Sequence, residues 1–336
     1  MWEKILVPVD SSPAAENIFE SALSLAKLTG GSLILLHVFS MDEEDAPPPP
    51  TFTGQYTRNR VTGEYDTKES IIEKRQKQWE IFEQKRLKFL KKMKDRASEQ
   101  NVNTEIVRVF GNPGPVICQR SQEYGVDLII MGNRGISTIE KIVLGSVSSY
   151  VVQNAFCSVL IARIPEQKEI SIKWEKILVA LDSSPIAKTV FDRALSLAKS
   201  VESNLTLLQV LSMDDLNALK AVKNDSLEIM KKGGLESFNE ALETIKNEAI
   251  EAIKDPSLKA MESEALKQNV STETIQVMGS PGRTICEQAE LLEIDLIAIG
   301  NRGLSGLQKL ILGSVSSYVI NNSSRSILVA RTASEE

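Results

Sequence analysis

The sequence predicts two α/β domains in tandem, each built on a doubly wound, mostly parallel five-stranded sheet. Three observations predict this fold class: a repeat of domain size, an alternation of strand and helix patterns within each copy, and strands that are apolar nearly throughout. The repeat can be read directly, because WEKILVPVDSSP from Trp2 returns as WEKILVALDSSP from Trp174. A repeat of this length is a duplicated domain rather than a unit of a solenoid.

The repeat also sets the domain boundaries. MGNRGISTIEKIVLGSVSSYV from Met131 returns as IGNRGLSGLQKLILGSVSSYV from Ile299. Between the two copies lies IPEQKEISIK, a polar stretch with one proline. The predicted organisation is a first domain over residues 1–163, a linker over 164–173 and a second domain over 174–336.

Within the first copy, short runs of branched apolar residues alternate with longer stretches of helical periodicity. The predicted strands are residues 4–9, 32–39, 103–109, 127–131 and 158–162. The predicted helices are residues 13–28, 70–100, 115–124 and 146–153. Gly30 suits a left-handed end of the first helix.

Strands such as KILVPV and DLIIM are apolar along their whole length, which is typical of parallel strands buried on both faces. Right-handed βαβ connections between such strands give an open, Rossmann-like sheet with helices on both sides. In that architecture a ligand binds beyond the carboxyl ends of the strands, so the residues that follow each strand are the candidates for a site.

Composition and charge argue against several function classes. The 336 residues carry a net charge of −6, whereas a general nucleic-acid binder presents an excess of Lys and Arg to phosphate. No apolar run is long enough to span a membrane, and the N-terminal stretch lacks a basic-then-apolar leader, so a cytoplasmic location is expected. Three cysteines without close spacing agree with that location. One histidine, His37, argues against histidine metal sites and Ser-His-Asp catalysis.

Each copy contains two glycine turns at a fixed spacing. GNRG at 132–135 is followed nine residues later by GSVSS at 145–149, and GNRG at 300–303 is followed at the same spacing by GSVSS at 313–317. Glycine lets the backbone approach an anion closely, and the second turn opens a helix whose N–H groups point outward. Serine hydroxyls add donors, so the pattern predicts a phosphate cradle. The alternative is a tight turn followed by an ordinary serine helix cap.

A carboxylate follows the first strand of each copy, at Asp10 and Asp182. An acidic residue at this position can accept hydrogen bonds from ribose hydroxyls. Its alternative role is to cap the following helix, because Asp and Ser are favoured caps and Pro is favoured in the first turn. The two roles are compatible.

These motifs resemble those of the universal stress protein family in its tandem form. The ATP-binding subgroup of that family carries G-x-x-G-x9-G-[ST], and both loops match it. The resemblance covers nearly the whole chain and implies a fold similar to adenine nucleotide alpha hydrolases. It also implies that the last strands, residues 158–162 and 326–330, pair with each other and make an intrachain pseudo-dimer.

The resemblance further implies two adenine-nucleotide sites. Asp10 and Asp182 would contact ribose. Adenine would lie near the strand ends at Pro8, Val9, Val38, Met131, Ala180, Leu181, Val210 and Ile299. Phosphates would be held by Gly132, Gly135, Gly145, Ser146, Val147, Ser148, Gly300, Gly303, Gly313, Ser314, Val315 and Ser316, with Arg134 and Arg302 adding charge.

The two copies differ in their middle segments. Residues 41–67 include four consecutive prolines, whereas the counterpart at 214–234 has none. Each insert is open to three interpretations, namely a lid, a disordered segment or a dimer contact. Because the inserts follow the second strand, near the expected adenine edge, equal affinity at the two sites is not expected.

Other features have a plainer interpretation. The basic stretch 74–96 suits a membrane surface or an acidic partner, but a solvated helix with Trp79, Phe82, Leu90 and Met93 turned inward is favoured. Cys118 and its counterpart Cys286 are interpreted as small core residues. His37, whose counterpart is Gln209, is interpreted as a polar residue of the sheet end without catalytic duty.

Three functions follow for testing. The leading one is a nucleotide-dependent stress or signalling module that binds ATP, with or without Mg²⁺, forms a dimer of tandem chains and acts on an unidentified protein partner. The second is a slow ATPase or another ATP-using enzyme, although no Walker motif, G-x-G-x-x-G or S-G-G-x-D-S is present. The third is an interaction scaffold without nucleotide.

Overall fold

The fold was examined in a computed structural model of the 336-residue chain. The structure describes residues 2–12, 14–41, 43, 46–51, 67–133, 144–163, 174–212, 256–301 and 312–331. The predicted linker at 164–173, most of the insert at 41–67, the whole counterpart at 214–234 and the loop residues Arg134, Gly135, Arg302 and Gly303 lie outside these ranges.

The first half consists of alternating strands and helices in the predicted order. The strands are β1 Lys4–Pro8, β2 Ser32–Phe39, β3 Thr104–Phe110, β4 Leu128–Gly132 and β5 Ser158–Ala162. The helices are α1 Ala15–Thr29, α2 Lys68–Glu99, α3 Pro113–Glu123 and α4 Ser146–Asn154. All nine elements are where the sequence places them, with bounds that shift by a few residues.

The second half repeats this series. Its strands are β6 Lys176–Leu181, β7 Asn204–Leu211, β8 Thr272–Met278, β9 Leu296–Gly300 and β10 Ser326–Ala330. Its described helices are α5 Ala187–Val201, α6 Pro256–Lys267, α7 Pro281–Leu291 and α8 Ser314–Asn322.

The ten strands form one sheet in the order β3-β2-β1-β4-β5-β10-β9-β6-β7-β8. Within each half the neighbouring strands are parallel. The halves join through β5 and β10, which pair antiparallel with Leu160 opposite Leu328. The predicted pairing of the last strands, and with it the intrachain pseudo-dimer, is therefore confirmed.

Each half also has a topological switch point. From β1 the chain continues to β2 and β3 on one side, and then returns to β4 and β5 on the other side. The loops that leave β1 and β4 therefore separate at the carboxyl edge of the sheet and leave a crevice there. The crevice lies between the predicted aspartate after β1 and the predicted glycine turn after β4.

Helices cover both faces of the sheet, as uniformly apolar strands require. One buried cluster contains Phe19 of α1 and Phe191 of α5, and the other contains Val151 of α4 and Val319 of α8. Each cluster includes residues of both halves, so the core is continuous across the β5–β10 junction. Burial of one such side chain contributes about 1.5–3 kcal/mol.

Two helix ends test the predicted caps. α1 ends at Gly30 with φ of 68°, as predicted, and the Gly30 N–H donates to Ala26 O. The alternative that Asp10 or Asp182 caps the next helix is wrong, because the cap residues are Ala14 and Ile186 and neither helix receives a side-chain cap bond. The aspartates instead bond to the turn before each helix.

Candidate functional site

A cavity of about 510 Å³ opens at the switch point of the first half. Its wall comes from the ends of β1, β2 and β4 and from the start of α4. It includes every described first-half residue predicted for a nucleotide: Pro8, Val9, Asp10, Val38, Met131, Gly132, Gly145, Ser146, Val147 and Ser148. Residues that are far apart in sequence are thus brought to one cavity, since the carboxyl ends of parallel strands share one edge.

Helix α4 presents its N-terminus to this cavity. Gly145 precedes the first turn, and its own N–H donates to Asn133 O at 2.7 Å. The N–H groups of the next three residues, Ser146, Val147 and Ser148, donate to no acceptor within the described part of the chain. The cradle donors are therefore the three N–H groups of the first helical turn, while Gly145 fixes the turn to the end of β4.

The two predicted serine hydroxyls have different roles. Ser146 is exposed, whereas Ser148 is buried and donates its hydroxyl to Gly132 O at 2.8 Å. The Ser148 hydroxyl proton is thus used inside the protein, and it joins α4 to β4. Of the two hydroxyls, only that of Ser146 is placed to donate to an incoming anion.

Asp10 has one carboxylate oxygen engaged and the other available. Its Oδ1 accepts from the backbone N of Ser12 at 3.0 Å and from the Ser12 hydroxyl at 2.6 Å. Among the described residues nothing donates to Oδ2. Asp10 is therefore held rigidly at the cavity wall with one acceptor left for a ligand hydroxyl.

The structure places His37 on the cavity wall, a position that the sequence analysis did not predict, and its lack of catalytic duty stays a prediction. The ring is 2% exposed and contacts Phe39 edge-on, with 4.5 Å between ring centroids. Nδ1 lies 2.7 Å from Val9 O, and a carbonyl only accepts, so the Nδ1 proton points at Val9. Nε2 is the ring nitrogen that remains for other chemistry.

Glu43 lies beside His37 and also lines the cavity. Its Oε2 is 3.6 Å from His37 Nε2, while Oε1 accepts from Ser11 at 2.8 Å and lies 3.1 Å from Arg86 Nε. Burial raises the pKa of this carboxyl, but its contacts with His37 and Ser11 and the charge of Arg86 outweigh that effect, so the pKa is lowered overall. Glu43 is thus a buried carboxylate at neutral pH.

Arg86 reaches this group from the basic helix α2. The expectation for that helix is confirmed in part, because Trp79, Phe82, Leu90 and Met93 are buried. Arg86 is buried with them, and its Nη2 donates to Ser11 at 2.8 Å. Sequence periodicity gave no reason to separate Arg86 from the solvated cations around it.

A further part of the wall was missed for a different reason. Asn112 and Pro113, at the start of α3, line the cavity. The signal was present, because NPG at 112–114 returns as SPG at 280–282 within the repeat. A turn kept in both copies at the carboxyl end of a strand is a candidate wall of the crevice.

The second half repeats the cradle. Gly313 N donates to Asn301 O at 2.9 Å, and Ser316 donates its hydroxyl to Gly300 O at 2.7 Å. Ser314, Val315 and Ser316 begin α8 as their counterparts begin α4. Asp182 accepts from the N and the hydroxyl of Ser184, so this carboxylate is fixed in the same way as Asp10.

The second half differs at the position of His37. Gln209 replaces His37 and accepts from Gln276 Nε2 at 2.6 Å. The remaining predicted residues keep their places at strand ends: Ala180 and Leu181 on β6, Val210 on β7, and Ile299 and Gly300 on β9.

Among the described residues no cluster of three His, Cys, Asp or Glu side chains is arranged to hold a metal ion. None of the described helices combines the length and apolarity of a membrane span. Burial raises the pKa of the Cys118 and Cys286 thiols to about 11, so both are protonated at neutral pH.

Comparison with known proteins identifies the family. The sequence model described as the universal stress protein family matches the chain twice, over residues 1–163 and 173–331. The chain belongs to the universal stress protein family. The predicted resemblance to the tandem form of this family is thereby confirmed, and the two matches coincide with the two halves of the sheet.

Individual universal stress proteins resemble one half or the whole chain. YxiE of Bacillus subtilis is 32% identical over 163 residues, which is 48% of this chain and 100% of that protein. Sll1388 of Synechocystis is 34% identical over 162 residues, covering 48% of this chain and 98% of its own length. A universal stress protein structure from Archaeoglobus fulgidus matches with a TM-score of 0.62 at 20% identity, over 100% of this chain and 98% of the other. That likeness shows the shared tandem fold.

Proposed function

We propose that this universal stress protein binds ATP in each half, and that occupancy of the two sites sets its conformation or assembly in a stress response. The observation that carries the proposal is the arrangement at the switch point. Three N–H groups without a described acceptor begin α4, and an anchored carboxylate, Asp10, stands on the same cavity. The helix start and the anchored carboxylate recur at α8 and Asp182 in the second half.

The cradle suits a polyphosphate for electrostatic reasons. Backbone N–H groups at a helix start carry part of the positive end of the helix dipole, and they favour an anion by about 0.3–1 kcal/mol, rising to about 2 kcal/mol when partly buried. Ser146 adds a hydroxyl donor. An anion is therefore stabilised here by main-chain groups, which a chain of net charge −6 can provide without a basic cluster.

Asp10 supports a nucleoside in place of free phosphate. Oδ2 is an acceptor held on the cavity wall, and a ribose hydroxyl is a donor that fits it. The apolar neighbours Val9, Val38 and Met131 lie on the same cavity and give a flat base an apolar contact surface. The loop spacing resembles that of the ATP-binding subgroup, which favours a triphosphate.

Signalling follows from population shift. A ligand that binds one conformation better than another shifts the protein toward that conformation. The continuous core across β5 and β10 gives the two halves a shared structure through which such a shift is felt. A cytoplasmic location and a dimer of tandem chains remain predictions that accompany this proposal.

The test is to measure nucleotide in the purified chain. Protein is denatured, and the supernatant is analysed by ion-exchange chromatography for ATP, ADP and AMP. The proposal expects adenine nucleotide to be recovered, and expects the double variant Gly145→Asp with Gly313→Asp to release none. If the wild type releases no nucleotide and does not bind added ATP, the interaction scaffold becomes the better account.

One observation favours slow ATP hydrolysis as a second candidate. His37 and Glu43 line the cavity, and their facing atoms Nε2 and Oε2 form hydrogen bonds with no described group. An imidazole and a carboxylate in one cavity can activate a water. The variant His37→Gln introduces the residue of the second half. Loss of phosphate release with unchanged ATP binding would support hydrolysis, and unchanged release would exclude His37 from it.

A further inference from the structure

Each of the two central strands ends next to an arginine that crosses into the opposite half. Arg331 follows β10, and its guanidinium donates from Nη2 to Val152 O and, at 3.1 Å, to Gln153 O. Arg163 follows β5, and its Nη2 donates to Ile320 O. Val152 and Gln153 lie in the last turn of α4, and Ile320 lies in the last turn of α8.

The antiparallel junction holds these arginines in place. The backbone N of Arg331 donates to the Ser158 hydroxyl at 3.2 Å, and that of Arg163 donates to the Ser326 hydroxyl at 3.1 Å. Each serine begins the strand of the other half. The position of each arginine is therefore fixed by the partner strand as well as by its own.

Charge explains what the arginines do there. The last turn of a helix carries the negative end of its dipole, and a cation near it is stabilising. Neither α4 nor α8 has a basic residue of its own in its last turn. The cation is supplied from the opposite half instead. Burial lowers the pKa of Arg163 to about 10, so it stays positive at neutral pH.

We propose that Arg331 positions the phosphate-binding helix of the first half and that Arg163 positions that of the second half, so that each nucleotide site is completed by the other domain. The inference rests on the proposed function for its ligand, but the helix contacts stand without it. α4 and α8 have nine residues each, which is about 13 Å of helix. Over that length, a group that fixes the last carbonyls also fixes the direction of the first N–H groups.

The arrangement couples the two sites. A ligand that draws α4 toward the cavity acts on Arg331. Arg331 directly follows β10, and β10 pairs with β5 on one side and with β9 on the other. β9 ends at Gly300, where Ser316 ties α8 to the sheet. By linkage, any effect of the first site on the second is matched by an equal effect in the other direction.

The test replaces one arginine at a time by methionine and asks whether ATP binding changes at the site of the opposite half. Single-site proteins are made with Gly313→Asp, which leaves the first site, or with Gly145→Asp, which leaves the second. In the first-site protein, Arg331→Met is expected to weaken ATP binding about fivefold, while Arg163→Met changes it less than about twofold. In the second-site protein the two effects are reversed. Isothermal titration calorimetry measures both.

A second readout does not need nucleotide. Hydrogen exchange is measured on the nucleotide-free full chain, and Arg331→Met is expected to speed amide exchange at residues 151–155 while leaving 319–323 unchanged. Arg163→Met is expected to do the opposite. Arg331→Lys keeps the cation and is expected to restore most of the protection and affinity, which a role in packing alone does not predict.

The outcomes separate the two proposals. If each methionine variant affects its own half, or both halves equally, the crossed positioning is overturned. If ATP binds to no form of the protein, the nucleotide proposal fails, and hydrogen exchange still decides whether the arginines hold the opposite helices. If Arg331→Met does not fold, Arg331→Lys and Arg331→Gln are compared, and equal affinity in those two variants contradicts the charge argument.

Discussion

The two halves of this chain are nearly identical at one end of the candidate site and different at the other. At the phosphate end, Gly145 N to Asn133 O is 2.7 Å and the counterpart distance from Gly313 is 2.9 Å. Beside the second strand the first half has His37 next to the buried Glu43–Arg86 ion pair, whereas at the position of His37 the second half has Gln209, which accepts from Gln276.

The difference shows which part of the site is constrained by the backbone. The cradle depends on main-chain N–H groups and on one serine that ties helix to strand, so few substitutions preserve it. The other end of the site depends on side chains, and there His37 of the first half is replaced by Gln209 in the second half. Two sites of shared phosphate chemistry and different selectivity are the expected result.

The largest expected effect comes from placing a charge in one cradle. Gly145→Asp brings a carboxylate to the helix start, and repulsion from the phosphates is expected to weaken ATP binding to the first site by more than about 100-fold. Gly313→Asp is expected to do the same to the second site only. Calorimetry on each single variant measures the remaining site, and Gly145→Ala is the matched control that keeps binding.

If Gly145→Asp still bound ATP at both sites, the ligand would not contact this turn. Loss of both sites in either single variant would show instead that the halves do not bind independently. The alanine control separates charge from a simple backbone effect, because Gly145 has a φ of −67° that any residue adopts.

The next effect concerns the stability that the Glu43–Arg86 ion pair and the Gln209–Gln276 hydrogen bond give to the fold. Arg86→Met leaves the Glu43 carboxylate buried without its guanidinium, and a loss of about 3 kcal/mol in unfolding free energy is expected. A comparison change in the second half, Gln276→Leu, leaves only the Gln209 amide oxygen without its donor and is expected to cost about 1 kcal/mol. Urea unfolding measures both variants, and equal losses of unfolding free energy would contradict the ionic character of the Glu43–Arg86 contact.

A smaller effect tests the shared part of the site. Ser148→Ala and Ser316→Ala each remove one hydrogen bond to a glycine carbonyl, and each is expected to cost about 1 kcal/mol. Because the two bonds differ by only 0.1 Å in length, equal losses are predicted by urea unfolding. If only one of the two variants lost unfolding free energy, the two hydrogen bonds would differ in strength despite their similar lengths.

The smallest effect is a dependence on pH that arises at Glu43 in the first half. The pKa of Glu43 is lowered in the folded state, so its contribution to stability is complete above its ordinary value of 4.5 and is lost as pH falls through the lower folded value. The stability difference between wild type and Glu43→Gln is therefore expected to be full at pH 7 and to shrink below pH 4.5. Urea midpoints across this range measure it, and a difference that grows toward acid would be contrary to the sign of the shift.

Much of the framework was predictable because its signals are local and repeated. β2 and β5 have the predicted bounds, and the strand ends at Val9 and Met131 meet in the cavity because parallel strands share one carboxyl edge. Gly30 ends α1 as expected, since a left-handed residue there favours glycine.

The rest depends on contacts between distant residues. Glu43 contacts His37 of β2 and Arg86 of the long helix α2, and no periodic pattern in the sequence encodes these contacts. Arg163 and Arg331 end their strands in the same way in each copy, but their partners lie in the opposite half. The duplicated sequence thus shows which residues are equivalent, but it does not show that each arginine donates to the helix of the opposite half.

The central claim is that each half holds one adenine nucleotide through the first turn of α4 or α8. The most direct measurement is a calorimetric titration of ATP into the nucleotide-free chain, with Gly145→Asp plus Gly313→Asp as the comparison. The account predicts two ATP bound per wild-type chain and none per double variant. Wild-type heat that the double variant reproduces, or no binding to either protein, would contradict it.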